Sequence, residues 1–121
     1  MAVINYSEEE DVLGALIITW SGLGNGDTGS PYKAPNYPDK CVQVTSVFGV
    51  GGTIQIEGTN DTGGSPVYNV LKAPDSNTLV FSAAAIEQIL ENSFLIRPRV
   101  TAGDGSTSLV VKMVATTVGR G

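Results

Sequence analysis

The chain has 121 residues, a net charge of −5, and 41% hydrophobic against 16% charged residues. One domain is the natural count at this length, and the low charged fraction argues against a disordered chain. Seven Lys and Arg against twelve Asp and Glu give no sign of a basic face, so no nucleic-acid partner is expected.

Residues 1–11 read as an N-terminal arm and residues 12–121 as one domain. No basic region followed by an apolar run opens the chain, so no signal peptide is expected. The longest apolar stretch, 12–20, is too short to span a bilayer, and no membrane partner is expected. Synthesis in the cytoplasm follows as an expectation, compatible with later life outside the cell as part of a particle. The arm carries Glu8, Glu9, Glu10 and Asp11. Such a run is either a solvated segment or an acidic arm that docks on a basic partner.

Residues 11–20 predict a first strand, buried on both faces near its end. Residues 21–39 form an irregular stretch with Gly22, Gly24, Gly26 and Gly29, then Pro31, Pro35 and Pro38, with Tyr32 and Tyr37 between them. A loop of this length is usually functional or disordered. Tyr32 and Tyr37 argue against disorder, because tyrosine brings large contact area at low entropic cost. The stretch either meets another surface or wraps over its own domain.

From residue 41 onward most segments alternate with period two. Val42 and Val44 oppose Gln43 and Thr45; Ile54 and Ile56 point inward with Gln55 and Glu57 outward. Shorter strands are predicted over 67–71 and 79–81. Residues 94–100 place Phe94, Ile96, Pro98 and Val100 opposite Arg97 and Arg99. Pro98 lacks a ladder donor and predicts an edge or interrupted strand. Residues 109–114 make the last strand. Gly-rich breakers at 49–52, 60–66 and 103–106 separate these runs, the first read as a hairpin turn. One segment departs from the pattern. Ser82 caps a helix from Ala83 on which Ile86, Ile89 and Leu90 share a face.

The chain has no histidine, which removes the commonest general base and the usual zinc ligand. Its single cysteine, Cys41, cannot form an intramolecular disulfide and reads as a small hydrophobe at a strand start. The glycines at 22–26 are followed by prolines rather than the helix a phosphate-binding turn requires. Asp61, Asp75 and Asp104 sit in turns, where Asp caps its own backbone, and no spacing picks out a catalytic or calcium-binding set. Neither cofactor nor metal is expected, and the chain is not expected to be an enzyme. Arg97 and Arg99 either face solvent or meet a partner's carboxylates.

Residues 44–61 read VTSVFGVGGTIQIEGTND and 79–110 read LVFSAAAIEQILENSFLIRPRVTAGDGSTSLV. Together they resemble a group of small structural proteins of tailed bacteriophages, the matching runs being 56–61, 95–100 and 103–109. The first run also resembles a turn of discoidin-like carbohydrate-binding jelly rolls. Within phages the resemblance implies a capsid decoration or cement protein, a homo-dimer or trimer bound to neighbouring copies of the major capsid protein on the virion surface.

The expectation is therefore an all-β, jelly-roll-like sandwich with one short helix, acting as a virion structural protein. Its candidate contact residues are Glu8, Glu9, Glu10, Asp11, Tyr32, Tyr37, Arg97 and Arg99. The alternatives are a tail or neck component and a carbohydrate-binding module.

Overall fold

The computed structural model describes residues 2–11, 13–33 and 35–117. Val12 of the first predicted strand, Ala34 of the long loop, and Met1 and 118–121 at the ends of the arm and domain lie outside the described residues. The accessible surface is 6267 Å², against about 6,200 Å² expected for a folded chain of this mass.

Two β-sheets stack face to face. A five-stranded sheet runs in the order β10 (Ala85–Ile89), β6 (Asp39–Val47), β12 (Ser108–Thr116), β3 (Leu16–Leu23), β2 (Ser7–Glu10). The second sheet runs β1 (Val3–Ile4), β4 (Thr28–Gly29), β11 (Leu95–Ala102), β7 (Thr53–Thr59), β8 (Asn69–Val70). In it β5 (Tyr32–Lys33) also pairs with β11, and β9 (Val80–Phe81) with β7, which makes seven strands. The inward residues of the two sheets interdigitate as one core. Ile18, Trp20, Val42, Val44, Val111 and Met113 from one sheet meet Ile54, Ile56, Ile96 and Val100 from the other. Each such aliphatic side chain contributes about 1.5–3 kcal/mol by leaving water. The period-two alternation of these strands is what places their apolar residues on one face.

The predicted helix is absent. No helix occurs among the described residues, and residues 85–89 pair antiparallel with β6 as an edge strand. The physical reason is that a helix of under three turns is marginal alone, whereas an extended chain here gains a full ladder with β6. Ile89 then enters the core at 2% exposure while Ile86 turns outward at 60%. The helical face that would have grouped Ile86 with Ile89 is thereby split across the sheet.

The segment 49–52 is also not a hairpin within one sheet. It carries the chain from β6 in the five-stranded sheet to β7 in the other, an arch over the end of the core. Gly49 adopts a φ of 72°, and a Cβ there would lie 2.4 Å from Asp104 Oδ1, so both backbone and space require glycine. Asp104 ties this arch to the 103–107 turn. Its carboxylate accepts from Val50 N at 3.1 Å, Ser106 N at 3.0 Å and Ser106 Oγ at 2.7 Å. Asp61 and Asp75 likewise cap backbone N–H groups two residues on, at Gly63 and Asn77.

Strand β11 is not an edge. It is flanked by β7 on one side and by β5 and β4 on the other. On that second side β5 pairs with Leu95 and Ile96 and β4 with Arg99, so the pairing is interrupted at Pro98. Val100 donates its N–H toward that side, to Asp27 O at 2.9 Å. The ring nitrogen of Pro98 therefore faces the gap, and its missing donor disrupts no ladder.

Candidate interaction surface

The predicted arm is part of the sandwich. Residues 3–4 pair parallel with β4 in one sheet, and residues 7–10 pair antiparallel with β3 in the other. The chain thus crosses between the sheets at Tyr6, whose ring stands edge-on to Tyr32 at 5.0 Å and Trp20 at 6.1 Å between centroids. Glu9 and Glu10 project from β2 into solvent, and β2 is exposed along its whole length. An edge strand lined by like charges resists uncontrolled pairing with other strands. Glu8 turns toward the other sheet and accepts the hydroxyl of Tyr32. Asp11 closes the β2–β3 turn, its Oδ2 accepting Leu13 N at 3.2 Å.

The long stretch 21–39 wraps over its own domain. It contains the end of β3 and the strands β4 and β5. Trp20 Nε1 donates to Ser30 O at 2.9 Å and fixes its course. Tyr32, expected at a contact surface, is instead a core residue at 6% exposure. Burial and the neighbouring Glu8 carboxylate raise its pKa above the ordinary tyrosine value. The correction has a plain cause: β5 pairs with Leu95 and Ile96, and this register turns the Tyr32 ring inward. Tyr37 is half-buried and packs against the same core. Lys40 is buried at 1% exposure, and its ammonium donates to Asn92 Oδ1. Asn92 Nδ2 in turn donates to Pro35 O at 2.9 Å and pins the loop. Burial lowers the pKa of Lys40, opposed by the Asp39 carboxylate.

Arg97 and Arg99 lie together on the outer face of the seven-stranded sheet. Both meet one carboxylate of this chain. Arg97 Nε donates to Glu57 Oε1 at 3.0 Å and Arg99 Nε to Glu57 Oε2 at 2.7 Å. Gln55 Nε2 also donates to Glu57, and the Tyr68 ring stacks on the Arg97 guanidinium at 3.6 Å. Burial pushes the Glu57 carboxyl up, but the bonds from Arg99, Gln55 and Arg97 together outweigh it and hold its pKa below the ordinary glutamate value. The sequence pattern placed Gln55 and Glu57 outward, and their direction is as expected. Glu57 is nevertheless 3% exposed, because side chains from β11 and from residue 68 cover it. The signal was the Arg-x-Arg run on one strand and a lone Glu on another; their adjacency depends on a β7–β11 pairing that spacing does not reveal.

A cleft of about 480 Å³ opens beside this face, lined among others by Asn60, Asp61, Asn69, Lys72, Glu91 and Ser93. Most of its polar groups are already engaged. Asn60 accepts from Phe94 N, Glu91 from Lys72 N, and Ser93 donates to Leu95 O. Among the described residues no group of three or more His, Cys, Asp or Glu is placed to hold a metal ion.

The sandwich is shared with the SPBc2 prophage-derived protein YomS. The two superpose with a TM-score of 0.62 over 88% of this chain and 98% of that one, at 9% identity. This likeness establishes the fold. Weaker likenesses run to iron(II) HppE, at a TM-score of 0.35, 12% identity, 91% of this chain and 55% of that one. A carbohydrate-binding module of Cellvibrio mixtus lichenase 5A in complex with cellotriose scores 0.31, at 13% identity, 94% of this chain and 86% of that one. No protein-family model matches the sequence, and no curated protein matches it.

Proposed function

We propose that the chain is a structural protein of a tailed-bacteriophage virion that decorates or cements the capsid by binding neighbouring major capsid proteins. The observation that carries this reading is the sandwich held in common with a prophage-derived protein along nearly the whole of that protein. The resemblance of 44–61 and 79–110 to small phage structural proteins supports it independently. Two surfaces suit the contact chemically: the acidic strand Ser7–Glu10 and the outward ends of Arg97 and Arg99. Many weak polar contacts repeated over a lattice sum to firm attachment without any one being tight.

The test is loading of the purified protein onto heads that lack it, read by co-sedimentation and native mass spectrometry. Saturation at a fixed ratio to the coat subunit is the expected result. Heads that remain bare while tails load would move the protein to the tail or neck, and binding to neither would overturn the virion reading.

A further inference from the structure

One patch on the outer face of the seven-stranded sheet has a charge opposite to that of the molecule. Register places Lys33 opposite Leu95, on the same face as Arg97 and Arg99, and Glu57 is the carboxylate among them. Three cations and one anion leave two positive charges in excess, on a chain of net charge −5. The two guanidiniums are held in place before anything binds: each donates through Nε to Glu57, and Arg97 is stacked on Tyr68. The structure gives their Nη groups no hydrogen bond among the described residues, while the side chains remain 25% and 42% exposed. A pair of fixed guanidiniums with outward N–H groups matches the geometry of carboxylates. The complementary feature is on the same molecule. Strand β2 is an exposed acidic edge, with Glu9 on its outer side and Glu10 on the side of Glu8, because successive strand residues alternate faces.

We propose that the Arg97–Arg99 face is a receptor for the acidic β2 edge of a second copy of this chain, with Glu9, on the outer side of that edge, as the carboxylate it takes. The two patches differ, so the contact is head-to-tail and repeats from copy to copy into a ring or an open chain. This goes beyond the virion reading and does not depend on it, since it concerns copies of the chain alone.

The experiment uses the full chain in the absence of heads. Sedimentation velocity should show association at about 0.05 M salt that weakens by about tenfold or more at about 0.5 M, as exposed charge pairs require. The variant carrying Glu9→Lys and Glu10→Lys, changed only on the exposed strand, should remain monomeric under the conditions where the parent associates. Zero-length carbodiimide coupling in a mixture of light and nitrogen-15-labelled chains should join Glu9 of one copy to Lys33 of another. A monomer at every concentration and salt overturns the proposal. So do an unchanged oligomer in the double variant and inter-copy links confined to Lys112 on the opposite sheet. A protein that self-associates in this way but fails to load onto heads in the separate test above would count against the virion reading and leave this one standing.

Discussion

Arg99 reaches Glu57 across two neighbouring strands, its Nε 2.7 Å from Oε2, and the two residues are 42 positions apart in the chain. Glu57 is buried while both arginines keep contact with water, so the network is asymmetric. Removing one arginine leaves the carboxylate a second, and solvent screens part of the loss. Removing both strands a buried charge. Arg97→Ala and Arg99→Ala should each cost about 1 kcal/mol, and the double variant about 3–5 kcal/mol. Urea denaturation of the four-member cycle measures this; strict additivity would contradict it.

The same carboxylate contributes to the acid limb of stability. Its folded pKa lies below the ordinary value of 4.5. The unfolded chain therefore binds the proton first, and the stabilisation is complete above pH 4.5 and lost as pH falls through the folded value. Unfolding midpoints between neutral pH and pH 3 should decline in the parent. They should decline less steeply in Glu57→Gln.

Lys40 has the opposite character. Burial depresses its pKa below 10.5, so between the folded and unfolded values the unfolded state holds more protons. Stability from this group rises as pH rises toward 10.5. Lys40→Met keeps the length and removes the buried charge. It should raise stability at neutral pH by about 1 kcal/mol and abolish that alkaline gain, measured by thermal melts across pH 7 to 10.5.

Tyr6 is the hinge pin of the N-terminal segment. Tyr6→Ala removes two edge-to-face contacts and partly buried area, at a cost of about 2 kcal/mol. Amide exchange in residues 3–4 and 7–10 should quicken more than in β6 or β12. For the same reason, deleting 2–10 would damage the fold, and charge reversal at Glu9 and Glu10 is the cleaner probe of binding.

Gly29 lies on β4, beside β11 in the same sheet and against the Pro98 and Trp20 rings. A Cβ there would lie 2.6 Å from Pro98 Cδ and 2.6 Å from Trp20 Cδ1. Neither ring can yield easily, so Gly29→Ala should destabilise by about 1–3 kcal/mol. A near-ultraviolet circular dichroism change should accompany the loss, because Trp20 is displaced.

Much of the sandwich was legible. Alternation at 42–45, 54–57, 96–100 and 109–114 marked the long strands and their buried faces, because one-sided burial leaves a period of two. What failed had common causes. Residues 83–91 have helical spacing, but pairing with β6 decides their state, and that partner lies about 45 residues earlier. Tyr32 looked like a contact residue because glycine and proline hide two-residue strands. Glu8 to Asp11 looked like a free arm because an acidic edge strand has no apolar face to announce it. Arg97 and Arg99 share an outward face, as their spacing indicates, but they meet Glu57 of this chain, which alternation alone marks as an ordinary outward side chain.

Strand β12 lies at the centre of the five-stranded sheet, between β3 and β6. It is also the last of the described strands to be made. Until residues 108–116 have left the ribosome, β3 and β6 have no central partner and their apolar faces stay open. The sheet must therefore close after translation of the domain rather than during it. Pairing over such long sequence separations slows folding, and apolar faces left open until β12 is in place favour aggregation.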